Sequence, residues 1–264
     1  MVYNKNRRKR AHVIDVCSYH NMAIIRNIPT LFGVLGTISK LDSHSKEILE
    51  AREAGDPEKE RQVIGDDIKI WASSVAEKFQ LNIEVVNPEN IPEQDGCVYI
   101  SNHQGYADII ALILALDGKQ LGFIAKDSLE KVPYLGKWIK LIRGLFIKRG
   151  DTREALKSMR EGIELVKKGY NLAIFPEGTR SRGPKMGKFK AGSFKLATKA
   201  KASIVPVSIS GSYRCFEEKG YWQPCTIKVM IHPPIETKEL SRQDIMEMEK
   251  AIPATIQNGV SALS

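Results

Sequence analysis

From residue 81 onward the chain alternates short apolar runs with longer segments of helical spacing, and that alternation restricts it to an α/β layer structure. The spacing predicts strands over 83–86, 97–100, 121–125, 145–148, 171–175, 203–209 and 226–231. Between and after them it predicts helices over 106–116, 134–142, 152–168, 192–201 and 242–256. The expected fold is a mixed, largely parallel sheet flanked by helices. Ligand sites in such sheets gather at strand ends, so the residues just after each predicted strand carry the most functional information.

The first 80 residues read differently. Residues 13 to about 50 have helical character, with Pro29 expected to bend the helix and Gly33 and Gly36 to weaken it. A charged stretch over 51–61, containing Gly55-Asp56-Pro57, reads as a turn. Ile68, Trp71, Ala72, Val75 and Phe79 then recur at helical spacing, giving an amphipathic helix to about Gln80. That stripe either packs on the core or forms a membrane-contacting pair with the preceding helix; the expected division is a helical, membrane-associating segment over 1–80 and a larger domain over 81–264. Residues 27–39 are apolar and uncharged, but 13 residues fall short of the roughly 20 that span a bilayer. A helix lying on or partly in the membrane surface is therefore expected. The basic cluster Lys5, Arg7, Arg8, Lys9 and Arg10 introduces no signal peptide, because Asp15 and His20 interrupt the apolar core that one needs.

Charge is unevenly spread. Residues 118–201 carry 21 Lys plus Arg against 7 Asp plus Glu, while the rest carries 19 against 24. A basic interior stretch points to an anionic partner such as phosphate, a nucleotide-bearing cofactor, an acidic carrier protein or an anionic membrane, unless it is simply a solvated face. The four cysteines, Cys17, Cys97, Cys215 and Cys225, form neither a CxxC pair nor a zinc-like spacing with histidine. They are expected as buried or free thiols in a reducing compartment. No phosphate-loop sequence supports nucleotide hydrolysis, and no nucleic-acid-binding motif accompanies the basic residues.

Two constellations lie at predicted strand ends. Asn102-His103-Gln104-Gly105-Tyr106-Ala107-Asp108 places an imidazole and a carboxylate five residues apart between a strand and a helix. A carboxylate that fixes a histidine's tautomer makes it a useful general base. No other histidine has the offset, since His12, His20, His44 and His232 meet Cys17, Ile25, Leu49 and Thr237 there. The second constellation is Phe175-Pro176-Glu177-Gly178-Thr179-Arg180-Ser181. It delivers a carboxylate, a hydroxyl and a guanidinium together, with Arg180 able to bind phosphate bidentately. Glu177 either orients a substrate hydroxyl or pairs with Arg180. Upstream, Asp151 and Glu154 form a helix-start signal that fixes Lys148-Arg149-Gly150 on a strand-to-helix turn.

These two constellations, with two further blocks in the same order, resemble the glycerolipid acyltransferase family, specifically the bacterial 1-acylglycerol-3-phosphate acyltransferases. One further block runs from Lys126 through Ser128-Leu129, Val132-Pro133 and Gly136 to Gly144, Phe146-Ile147 and Arg149; the other is Val205-Pro206-Val207-Ser208-Ile209. The blocks span 102–209, and the first 80 residues match only in general character. The resemblance implies that His103 is the general base for the acceptor hydroxyl and that Asp108 holds its imidazole. It implies direct attack on an acyl thioester without an acyl-enzyme, with Lys126 near the reaction centre; the residues alone read Lys126 as a solvated lysine. Arg149, Glu177, Gly178, Thr179 and Arg180 match positions associated with the acceptor's glycerol-phosphate.

The expected product is phosphatidic acid, made from 1-acylglycerol 3-phosphate. The donor is acyl-coenzyme A or acyl carrier protein, with no metal, no bound cofactor and no nucleic acid. The expected location is the cytoplasmic face of the cell membrane, monotopic or peripheral. Rival acceptors are glycerol 3-phosphate, another lysophospholipid or an amino-acid lipid. The rival class is a basic membrane- or nucleic-acid-binding module that transfers nothing.

Overall fold

The computed structural model describes residues 42–148 and 150–264. Its seven strands are β1 (Leu81–Val86), β2 (Val98–Ser101), β3 (Gly122–Lys126), β4 (Leu145–Ile147), β5 (Leu172–Ile174), β6 (Ile204–Ser210) and β7 (Cys225–Ile231). They form one sheet in the order β1-β7-β6-β2-β5-β3-β4. Every neighbouring pair is parallel except β6 with β7. All seven lie within two residues of the boundaries expected from the sequence. The described helices are α1 (Asp42–Glu53), α2 (Pro57–Phe79), α3 (Ala107–Ala115), α4 (Leu135–Leu141), α5 (Thr152–Lys167), α6 (Lys195–Ala200) and α7 (Arg242–Leu263).

Alternation of side chains across the strands builds two apolar layers. Tyr99, Ala173, Val205 and Val207 face a core shared with Ile68 and Trp71 of α2, Leu112 of α3 and Trp138 of α4. Val98, Ile100, Leu172 and Ile174 face the opposite core, made with Val166 of α5, Leu196 of α6 and Ile252 and Ile256 of α7. Because β2 and β5 are central strands buried on both faces, their ends are held rigidly. That rigidity is inherited by the loops that follow them.

Three expectations need correction. The charged stretch over 51–61 is mostly helical: α1 runs to Glu53 and α2 begins at Pro57, leaving 54–56 as the connection. Pro57 suits a first helical turn, and the Asp56 side chain accepts a hydrogen bond from the Lys59 N–H at 3.0 Å. At the other end α7 continues to Leu263, because Ile256, Gly259, Val260 and Leu263 keep its buried stripe going past the expected stop. The 192–201 helix is shorter than expected, a 3₁₀ turn over Ala191–Phe194 preceding α6.

The cysteines also differ from expectation. Cys215 and Cys225 are joined in a disulfide with their Cα atoms 5.5 Å apart, while Cys97 is a buried thiol pushed up to about 11 by desolvation. The ten-residue separation needs only a chain reversal between Ser212–Cys215 and the start of β7, a pairing that CxxC spacing does not report. The thiol argument for a reducing compartment therefore falls. Among the described residues no helix is long and apolar enough to cross a membrane. The basic cluster over 5–10, the apolar stretch over 27–39 with its Pro29 bend, and Arg149 lie outside the described residues.

Long-range partners account for the burial of Glu60 within a charged segment that is otherwise largely exposed. Its carboxylate accepts hydrogen bonds from Arg52 Nε at 2.9 Å, from Arg143 Nε and Nη2 at 2.7 Å each, and from the Tyr170 hydroxyl at 2.6 Å. Burial opposes its ionisation, but these donors outweigh burial and hold the carboxyl below its ordinary value of 4.5. A depressed folded-state value contributes stability above pH 4.5, lost as the pH falls through the folded value. Glu60→Gln is expected to lower unfolding stability at pH 7 by about 3 kcal/mol, since two guanidinium groups lose their counter-charge. Denaturant melts at pH 7 and pH 3 should show a smaller difference between the pH values for the variant than for the parent protein.

Candidate active site

The segment after β2 is fastened from both sides. On one side the Asn102 amide takes the place of a backbone pair: Nδ2 donates to the Ile209 carbonyl and Oδ1 accepts from the Ile209 N–H, each at 2.8 Å. Gln104 Oε1 accepts from the Gly211 N–H at 3.0 Å. On the other side the Ser181 N–H donates to the His103 carbonyl at 2.7 Å and the Arg182 N–H to the Gln104 carbonyl at 3.1 Å. His103 is thus set on a loop whose backbone groups are largely paired, with its ring stacked on Phe175 at a centroid distance of 4.2 Å.

The first turn of α3 returns Asp108 beneath that ring. His103 Nδ1 lies 2.6 Å from Asp108 Oδ2, which also accepts the Gly105 N–H at 2.9 Å. Asp108 Oδ1 accepts the Ser212 hydroxyl. Asp108 is fully buried whereas the His103 side chain keeps 17% exposure. Because an ionised carboxylate only accepts hydrogen bonds, the tautomer consistent with this contact carries its proton on Nδ1. That leaves Nε2 as the basic nitrogen at the sheet edge.

Glu177 joins the strand-end loops. Its Oε1 accepts the His103 N–H and its Oε2 accepts the Gly187 N–H, each at 2.6 Å. Burial pushes the carboxyl above the ordinary range, while the two N–H donors and His103 pull it down. The expected alternative of a Glu177–Arg180 pair is not what forms. Arg180 Nη1 instead contacts Glu217 Oε1 at 2.6 Å, and its guanidinium carbon sits 3.5 Å from the Tyr106 ring centroid. Glu217 Oε1 also accepts the Tyr106 N–H at 2.9 Å, and burial raises this carboxyl too. Gly178 has φ +66°, a left-handed conformation that glycine adopts without penalty, and Thr179 is exposed beside it.

Lys126 ends β3 on the same edge of the sheet and is exposed. Extending the register carries Lys126 level with Pro176, which in turn is level with Asn102. Two strand spacings then separate it from β2, about 10 Å. The sheet therefore brings His103, Asp108, Glu177, Gly178, Thr179, Arg180 and Lys126 to one edge. Among the described residues no group of three or more His, Cys, Asp or Glu side chains is arranged to hold a metal ion.

Comparison with known proteins places the chain in a family. The acyltransferase family model matches residues 82–210. The 1-acyl-sn-glycerol-3-phosphate acyltransferase of Pseudomonas aeruginosa is 31% identical over 198 residues, covering 74% of each chain. The chain belongs to the acyltransferase family. Within that family, the chloroplastic 1-acyl-sn-glycerol-3-phosphate acyltransferase LPAT1 of Arabidopsis thaliana is 35% identical over 171 residues. That match covers 63% of this chain and 47% of the plant protein, so the chain spans about half the length of such relatives. The crystal structure of the 1-acyl-sn-glycerophosphate acyltransferase PlsC from Thermotoga maritima superposes with a TM-score of 0.71 at 27% identity. It covers 90% of this chain and 97% of that one.

Sequence reasoning missed Ser212 and Glu217, which lie 104 and 111 residues from their partners Asp108 and Tyr106. Neither sits in a local pattern that marks it. Proton NMR is expected to show a strongly deshielded imidazole N–H from His103, held by the short contact to Asp108. Asp108→Asn should abolish that resonance; its persistence would contradict the assigned tautomer.

Proposed function

We propose that the protein transfers a fatty acyl group from an acyl thioester to the free hydroxyl of 1-acylglycerol 3-phosphate, forming phosphatidic acid. The observation that carries this reading is the His103–Asp108 pair, its 2.6 Å contact set at a sheet edge beside a basic loop. His103 Nε2 takes the proton of the acceptor hydroxyl as that oxygen attacks the thioester carbonyl. Collapse of the tetrahedral centre breaks the carbon–sulfur bond, and the departing thiolate takes the proton back from the imidazolium. No acyl-enzyme intervenes, and no serine or cysteine forms a nucleophile elbow beside His103.

Roles for the other residues follow from charge. Lys126 is assigned to the developing oxyanion of the thioester carbonyl, where a positioned cation stabilises the transition state. Arg149, Gly178, Thr179 and Arg180 are assigned to the acceptor's glycerol-phosphate. Glu177 supports that site by tying the His103 loop to the Gly187 segment. Acyl-coenzyme A and acyl carrier protein both supply the required thioester. Supply of such donors, rather than thiol chemistry, favours the cytoplasmic face of the membrane.

His103→Ala should lower acyl transfer by at least about a hundredfold, the contribution of a general base. The check incubates purified protein with lysophosphatidate and each thioester and identifies the lipid by mass spectrometry. Full activity in the variant would rule out His103 as the base. Membrane contact is assigned to residues 1–80, where Leu49 on α1 is 43% exposed and Ile70 on α2 is 55% exposed. Glutamate at both positions should weaken sedimentation with anionic liposomes; unchanged sedimentation would place the contact elsewhere.

A further inference from the structure

Arg180 and Lys190 both lie at the turn that follows β5, and they differ in how they are held. Arg180 is neutralised by Glu217 at 2.6 Å and covered on one face by Tyr106. Lys190 is exposed, and no ion pair joins it to a carboxylate among the described residues. Its side chain lies over Gly178: a Cβ placed on Gly178 would come 2.5 Å from Nζ and 3.1 Å from Cε.

The backbone brings it there. The Lys190 N–H donates to the Pro176 carbonyl at 3.1 Å, and the Gly187 N–H donates to Glu177 Oε2 at 2.6 Å. The 187–190 segment is therefore laid along the 176–178 turn by two hydrogen bonds. Glu177, the acid nearest in sequence, accepts a backbone N–H at each oxygen.

We infer that Lys190 is a further binding residue for the acceptor's phosphate, supplying a positive charge over Gly178 that no described carboxylate neutralises. The inference rests on the proposed transfer to a phosphorylated acceptor. A phosphate approaching Gly178 meets no side chain from that residue and an ammonium with three donors from Lys190. Arg180, already engaged with Glu217 and Tyr106, adds planarity and fixed direction more than net charge. Lys190 thus favours a phosphate-bearing acceptor over its phosphate-free counterpart.

The test compares the parent protein with Lys190→Met, Lys190→Arg and Lys185→Met, the last removing a nearby exposed charge as a control. Lysophosphatidate is presented in neutral detergent micelles with acyl-coenzyme A as donor. Lys190→Met is expected to raise KM for lysophosphatidate about tenfold while kcat changes far less, as for loss of one charged contact. Lys190→Arg should restore most of that loss, and Lys185→Met should leave KM near the parent value. An equal rise in Lys185→Met, an equal rise in KM for acyl-coenzyme A, or no rise in Lys190→Met would overturn the inference. Calorimetric binding of glycerol 3-phosphate provides a readout without turnover, with about tenfold weakening expected in Lys190→Met. A parent protein that never acylates lysophosphatidate refutes the acceptor reading alone. Lys190 is then judged by the calorimetry, where equal affinities would refute it.

Discussion

The buried carboxylate of Asp108 is the point on which the site depends. It accepts hydrogen bonds from the His103 imidazole, the Gly105 N–H and the Ser212 hydroxyl, all with Asp108 fully buried. A carboxylate so placed is costly without partners, so the loop after β2, the first turn of α3 and the turn after β6 are constrained together. Orientation of the imidazole follows from the same constraint. The fold itself positions the His103 imidazole, the preorganisation that the proposed general-base role requires.

A second carboxylate does comparable work from the other side. Glu177 links the His103 loop to the Gly187 segment through two backbone N–H groups, and burial works against its ionised form. Such an arrangement makes a structural connector out of a residue whose place in the motif suggests direct ligand contact. Arg180 is drawn to Glu217 instead, so acidic residues fasten both the imidazole and the guanidinium. The candidate site is thus assembled from loops that the two central parallel strands deliver to a common edge.

Most of the fold was legible because hydrophobic periodicity is a local property. All seven strands appear in the alternation of residues, and the sheet class follows from strands separated by helices. The misreadings arose where long-range contacts overrode local composition. Charge over 51–61 looked like a turn because the partners of Glu60, at Arg143 and Tyr170, lie 83 and 110 residues away. The Cys215–Cys225 disulfide escaped notice because chain reversal, not spacing, brings its ends together.

The sequence by itself determined the α/β class and the order of the blocks; it suggested the pairing of His103 with Asp108 by spacing, and the folded loop made the contact at 2.6 Å. The sequence also showed the excess of basic residues over 118–201, because charge is countable without coordinates. Tertiary structure decided which cation is neutralised and which is not. Glu217 reaches Arg180 across 37 residues, and the hydrogen bond from Lys190 to Pro176 sets a lysine over Gly178. Electrostatic interaction depends on distance and burial rather than on sequence separation, so only the folded chain could make that distinction.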